Sequence, residues 1–80
     1  MFALMNPLKL QITPGDSVVV NYNSREEDPM FDLCDYEGNL IKTGKLTESN
    51  TELSIKNLAM GIYYLFILDG PHIHSKKFSV

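Results

Sequence analysis

The sequence contains a single cysteine, Cys34, so its 80 residues cannot form a disulfide within the chain. A domain of this size is close to the limit at which a hydrophobic core alone gives a stable fold. Hydrophobic residues make up 44% of the chain, which predicts a folded rather than a disordered protein. The sequence therefore predicts one small domain over residues 1–80, stabilised by packing, with residues 1–6 as an irregular lead-in.

Positive charge and long apolar runs are also scarce. Seven lysine and arginine residues stand against ten acidic residues, and the formal net charge is −3. Phosphate binding needs a basic surface, so this balance argues against a nucleic-acid partner. The longest apolar run, residues 62–68, is far shorter than the about 20 residues that span a bilayer, so we predict no membrane insertion. The apolar start, residues 1–5, has no basic region before it, so no signal peptide is visible, and we interpret the chain as a piece of a longer or processed protein.

The motifs of the common enzyme classes are missing from the sequence. There is no Ser-His-Asp motif, no phosphate-binding glycine loop and no metalloprotease motif. Cys34 has Asp32 and Asp35 as neighbours, and their negative charges disfavour a reactive thiolate, so we interpret it as a small buried or half-buried apolar residue. We predict that the chain is not an enzyme and uses no cofactor.

Two polar clusters are candidates for ion binding. His72 and His74 are spaced so that they share one face of a strand, which suits a metal, but two ligands make a poor site. We therefore predict surface histidines and no metal. Residues 25–29 form the most densely charged stretch, which we interpret as a solvated loop, with a cation or partner site as the alternative.

Short strand patterns dominate the sequence. The strongest is Gly61 to Leu68, where Tyr63, Leu65 and Ile67 would point to one face and four further apolar residues to the other, so we predict a strand covered on both faces. Alternating or β-branched segments predict six more strands, over residues 8–12, 17–22, 30–36, 40–46, 51–55 and 72–80. No segment has helical periodicity. The pattern predicts an all-β fold, a seven-stranded antiparallel Ig-like β-sandwich.

Several short motifs, in this order, resemble a known family. They are Asn6-Pro7, Phe31-x-Leu33-x-Asp35-x-x-Gly38-x-Leu40-Ile41, Leu58-x-x-Gly61-Ile62-Tyr63-x-Leu65 and Lys76-Lys77-Phe78. Over residues 6–80 they resemble the type A C-terminal sorting domain of the type IX secretion system of Bacteroidetes. The chain is also similar to the small free-standing Ig-like secreted proteins of gut Bacteroides, which share the Leu-x-x-Gly-x-Tyr motif.

The first resemblance implies a non-enzymatic sorting and anchoring module at the end of a secreted cargo protein. It implies an outer-membrane secretion translocon and a sortase-like protease as partners, and a secreted or outer-membrane surface location. The residues it assigns to recognition are Lys76, Lys77 and Phe78. The residues that match the structural motif are Asn6, Pro7, Asp35, Gly38, Leu58, Gly61 and Tyr63. The sequence departs from the family at Leu4-Met5, which replace the usual Tyr-Pro, and in lacking a basic tail after Val80.

Other interpretations of the same residues stay open. A second hypothesis is a free-standing extracellular binding or adhesion protein that uses exposed aromatic side chains such as Tyr22, Tyr36 or Tyr64 for a glycan or protein. It would then have no sorting role. A third hypothesis is an accessory domain that spaces a larger enzyme. Lys76 and Lys77 are also typical of an edge strand on which charge discourages aggregation. Pairing of such edge strands would permit a weak dimer.

Overall fold

The structure is a computed structural model that describes residues 8–23 and 28–80. Asn6, Pro7 and the proposed lead-in lie outside these residues, as do residues 25–27 of the acidic loop. Within the described ranges the chain forms seven strands: β1 (Leu8–Thr13), β2 (Ser17–Tyr22), β3 (Met30–Asp35), β4 (Leu40–Lys45), β5 (Asn50–Ser54), β6 (Ile62–Asp69) and β7 (His72–Ser79). Each strand begins and ends within one residue of its predicted bounds, so the all-β prediction is confirmed.

The strands form two antiparallel sheets. The three-stranded sheet has the order β1-β2-β5, and the four-stranded sheet has the order β4-β3-β6-β7. β2 pairs with β5 and β3 pairs with β6, so the chain crosses between the sheets after β2, after β4 and after β5. These crossings give the Greek-key connections of an Ig-like sandwich, and the predicted architecture is confirmed.

The core lies between the inward faces of the two sheets. Its buried hydrophobic side chains are Leu8, Val18, Val20, Tyr22, Phe31, Leu33, Leu46, Leu53, Ile55, Tyr63, Leu65, Ile67 and Phe78. β6 lies in the middle of the larger sheet between β3 and β7, and it contributes Tyr63, Leu65 and Ile67 to this core. The stretch with the strongest strand pattern in the sequence therefore occupies a central position in the fold.

The prediction that β6 is covered on both faces is wrong for its outward face. Ile62 is 37% exposed, and Tyr64, Phe66 and Leu68 are only half-buried. The sandwich has two layers, so one face of each sheet lies against the core and the other faces solvent. The outward apolar side chains of β6 thus form part of the protein surface.

Gly44 in β4 makes a close approach to the core. A Cβ atom built on this glycine would lie 3.0 Å from Cε1 of Phe31, the residue paired with it across β3 and β4. A glycine within a strand can mark a bulge or a close approach, and at Gly44 the structure shows a close approach. The irregularity in this strand pair lies elsewhere, between Leu33 and Cys34. No helix of the described residues has the length and hydropathy to cross a membrane.

Candidate functional site

The two lysines of the last strand lie on opposite faces of the sheet. β7 is an edge strand paired with β6, and it places Lys76 opposite Leu65 and Lys77 opposite Tyr64. Directly paired residues share a face, so Lys76 lies on the core side, where it is half-buried. Lys77 is exposed on the outward face. Of the two predicted recognition lysines, only Lys77 presents its charge on the open face of the sheet.

Phe78 belongs to the core. Its side chain is 6% exposed, and its ring stacks on that of Tyr63 with centroids 6.0 Å apart and an interplanar angle of 27°. The two residues are also paired in the β6–β7 ladder. Phe78 therefore anchors the last strand to the core and offers almost no surface to a partner of the folded domain.

The Leu-x-x-Gly-x-Tyr motif forms a corner at the start of β6. Leu58 packs against the core, and the Tyr63 hydroxyl donates a hydrogen bond to the Ala59 carbonyl over 2.7 Å. Gly61 exchanges two backbone hydrogen bonds with Val80, of 3.0 and 2.8 Å, and its φ of +151° lies in a region that favours glycine. The arrangement is comparable to the tyrosine corner of Ig domains, so these motif residues have a structural role.

Asp35 organises the turn between β3 and β4. Its carboxylate accepts hydrogen bonds from the backbone N–H groups of Glu37 (2.9 Å) and Asn39 (2.8 Å) and from the Asn39 side chain (3.0 Å). Gly38 completes the turn at φ +89°, and its N–H donates to the Asp35 carbonyl. These hydrogen bonds lower the pKa of Asp35 below its ordinary 3.8, and the one from the Asn39 side chain has the largest effect.

This lowered pKa predicts a dependence of stability on acid pH. A carboxylate whose pKa is lower in the folded than in the unfolded state stabilises the fold above its unfolded pKa, and that contribution is lost as pH falls through the folded pKa. We therefore expect the difference in unfolding free energy between wild type and Asp35→Asn to shrink as pH falls below 3.8. Urea unfolding at several pH values measures it, with Glu52→Gln on the other sheet as control. A difference that is independent of pH would contradict the prediction.

The corner and the turn lie side by side at one end of the sandwich. Between them is an open cleft of about 270 Å³, lined among others by Asp35, Tyr36, Met60 and Tyr63. Tyr36 is 69% exposed and Met60 is 91% exposed. Five of the predicted motif residues therefore lie at this end of the sandwich, where they form the turn, the corner and the hydrogen bonds to Val80. These residues are Asp35, Gly38, Leu58, Gly61 and Tyr63.

The remaining candidates do not form a reactive centre in the described ranges. Cys34 is half-buried, and burial first, then the charges of Asp32 and Asp35, raise the pKa of its thiol. His72 is exposed, and His74 packs its ring against Tyr22 with centroids 5.4 Å apart. Among residues 8–23 and 28–80, no three His, Cys, Asp or Glu side chains are grouped to hold a metal ion.

A buried polar pair was not predicted from the sequence. The Tyr22 hydroxyl of β2 donates a hydrogen bond of 2.5 Å to the Asp69 carboxylate of β6, which is 0% exposed. This bond joins the two sheets through the core. Tyr22 is 3% exposed, so its proposed role as an exposed ligand-binding aromatic residue is wrong.

The outward side of the four-stranded sheet carries a row of apolar side chains that we call the aromatic face. It consists of Ile62, Tyr64, Phe66 and Leu68 of β6, flanked by Asp32 and Cys34 of β3 and by Ser75 and Lys77 of β7. The rings of Tyr64 and Phe66 have centroids 6.5 Å apart and an interplanar angle of 27°. The run of apolar residues in β6 was visible in the sequence, but its exposure depends on the number of layers in the fold.

Comparisons with known proteins agree on fold and family. The model of the family described as "Secretion system C-terminal sorting domain" matches residues 6–80. No curated protein matches the chain. Among solved structures, the chain is similar to a DUF3244 family protein with an immunoglobulin-like β-sandwich fold from Bacteroides vulgatus ATCC 8482. The TM-score is 0.76 at 19% identity, and the match covers 92% of this chain and 84% of the other. At this identity the structural match supports the fold alone.

Proposed function

Since the chain belongs to the secretion system C-terminal sorting domain family, we propose that it is a folded, non-catalytic export label read by the type IX secretion apparatus. Membership of this family implies an exported protein, secreted or held at the cell surface. The observation that carries the proposal is the family match over residues 6–80, nearly the whole length of the chain.

The lysines of β7 are the proposed contacts of the secretion apparatus. Lys77 is exposed on an edge strand, where a partner can approach it, and Lys76 lies half-buried on the other face. Phe78 is proposed to act indirectly, because its buried ring fixes β7 on Tyr63. The motif residues Asp35, Gly38, Leu58, Gly61 and Tyr63 would maintain the shape that is read. Asn6 and Pro7, outside the described residues, remain part of the proposed motif.

An export assay tests the sorting role. The full 80-residue chain is placed after a periplasm-folding fluorescent protein with a signal peptide and expressed in a cell that has type IX secretion. We expect fluorescence at the cell surface or in the medium, and periplasmic retention when the chain is left out. Retention of the complete fusion in the periplasm would contradict the proposal. Loss of the domain from the exported product, detected by mass spectrometry, would support removal by a sortase-like protease.

The same assay measures the role of the two lysines. We expect the double variant Lys76→Ala, Lys77→Ala to lower the exported fraction about tenfold, because a charged contact at the rim of an interface mainly governs how fast partners associate. The matched control is Lys9→Ala with Lys42→Ala, which removes two exposed lysines from β1 and β4. Equal export of both double variants would exclude the lysines of β7 as contacts.

A free-standing binding protein is the second candidate function. The exposed Tyr36 and the half-buried Tyr64 on the aromatic face favour it, because aromatic side chains with a polar tip suit glycan and protein surfaces. A glycan-array screen of the purified chain separates the two functions. Specific binding to one class of glycan would support the second candidate, whereas a domain that is only a sorting label should bind none.

A further inference from the structure

We propose that the aromatic face, with Lys77 at its margin, is the surface that docks on the secretion apparatus, against an apolar ridge flanked by carboxylate groups. This inference rests on the proposed sorting function and deepens it by assigning a surface and a partner chemistry. No described strand lies over this face, because the other sheet packs on the opposite side of the four-stranded sheet.

The two outward faces of the sandwich differ sharply in composition. On the three-stranded sheet the outward residues are polar, among them Lys9, Gln11, Asn21 and Glu52, with Val19 as the apolar member of this set. An antiparallel sheet with one solvated side normally has this polar pattern. On the four-stranded sheet all four outward residues of β6 before the turn are apolar.

The apolar character of the aromatic face extends beyond β6. Met30 of β3 and Ile73 of β7 both pair with Leu68, and they are 38% and 68% exposed. Leu40 of β4 pairs with Cys34 and is 57% exposed. An exposed apolar patch that spans several strands is typical of an interaction surface rather than of chance exposure.

Charge distinguishes this face from the rest of the molecule. The chain has a net charge of −3, yet the aromatic face has exposed lysines on two of its strands, Lys77 on β7 and Lys45 opposite Met30 on β4. Its carboxylate, Asp32, accepts a hydrogen bond of 2.7 Å from the Thr43 hydroxyl. A partner with an apolar centre and carboxylates at its margins is complementary to this arrangement.

The size of the face indicates a transient partner. A sheet four strands wide and as long as β6 covers roughly 500 Å², from the usual strand spacing and rise. Stable complexes bury about 800 Å² on each partner, so a second copy packed on this face would be held weakly. A label that must be read and then released suits a contact of this smaller size.

The experiment compares variants of β7 and β6 in the fluorescent fusion of the full chain. Lys77→Glu lies on the aromatic face, and the control Lys42→Glu changes an exposed lysine of β4 that pairs with Leu33 on the other face of the same sheet. Tyr64→Thr with Phe66→Thr removes the aromatic pair but keeps residues that favour strands. Val19→Thr with Lys9→Glu makes a comparable change on the outward face of the three-stranded sheet. The melting temperature of each purified variant shows whether it is folded.

We expect Lys77→Glu and the Tyr64, Phe66 double variant to lower the exported fraction about tenfold each, with Lys42→Glu and the Val19, Lys9 double variant close to wild type. Loss of export with Lys77→Glu, and none with the Tyr64, Phe66 double variant, would show a lysine signal read without this face and overturn the inference. Normal export of every folded variant would overturn it too, while the sorting function stands. Retention of the wild-type fusion would overturn both. A wild-type dimer in sedimentation analysis that the aromatic double variant abolishes would assign the face to a second copy instead.

Discussion

Tyr63→Ala is expected to lower the free energy of unfolding by about 3–5 kcal/mol, as for other buried aromatic residues replaced by alanine. Tyr63 is 6% exposed, stacks on Phe78 and holds the corner through its hydrogen bond to Ala59. The substitution thus opens a cavity, removes the support of β7 and releases the chain at the corner. Chemical denaturation followed by far-UV circular dichroism measures the change. Small domains have a total stability of only 5–15 kcal/mol, so a large part of it should be lost.

Tyr63→Phe separates the ring from the hydroxyl. This variant keeps the stack on Phe78 and loses the hydrogen bond, so we expect a smaller loss, about 0.5–1.5 kcal/mol. A loss as large as that of Tyr63→Ala would place the stabilisation in the hydroxyl and contradict the packing argument. Because Tyr63→Ala should remove a large part of the stability of the domain, failure of this variant in an export assay would not separate loss of the fold from loss of recognition.

Tyr22→Phe is expected to lower the free energy of unfolding by about 1–3 kcal/mol. The variant keeps the buried ring but removes the donor of the 2.5 Å hydrogen bond to Asp69. Since Asp69 is 0% exposed, water cannot take the place of the lost hydroxyl without opening the core. Urea denaturation of the wild type and of Tyr22→Phe at the same pH measures this loss of stability.

Tyr36→Phe is the matched control for this substitution. It removes the same hydroxyl group from a tyrosine that is 69% exposed, where water can replace any lost contact, so its effect should stay within about 0.5 kcal/mol. If Tyr22→Phe and Tyr36→Phe had equal effects, the inter-sheet hydrogen bond would contribute nothing to stability.

The strands of this domain could be predicted because their pattern is local. The apolar run of β6 and the β-branched residues of β2 each lie within a few neighbouring positions. Gly38 adopts a positive φ that favours glycine, so the residue type itself indicates the turn. The resemblance of residues 6–80 to a sorting domain was equally visible, because its motifs are short and ordered along the chain. The family match confirms that identification.

The sequence could not show the features that depend on distant contacts. The buried hydrogen bond of Asp69 comes from Tyr22, which lies 47 positions earlier and in the other sheet. Lys76 and Lys77 had to point to opposite faces of β7, but only the packing of Phe78 on Tyr63 shows which of them faces the core. The outward row of β6 looked buried, because hydrophobicity alone does not tell how many layers a sandwich has.

The place of β7 in the chain has a consequence for protein synthesis. β7 is the last of the seven strands, and it supplies Phe78 to the core and the neighbour that β6 needs on one side. A polypeptide whose translation stops before β7 cannot complete the four-stranded sheet, however much of the preceding sequence it contains. Under the proposed sorting function such a truncated product would lack a complete folded label, and we expect only chains made to the end of the domain to be exported.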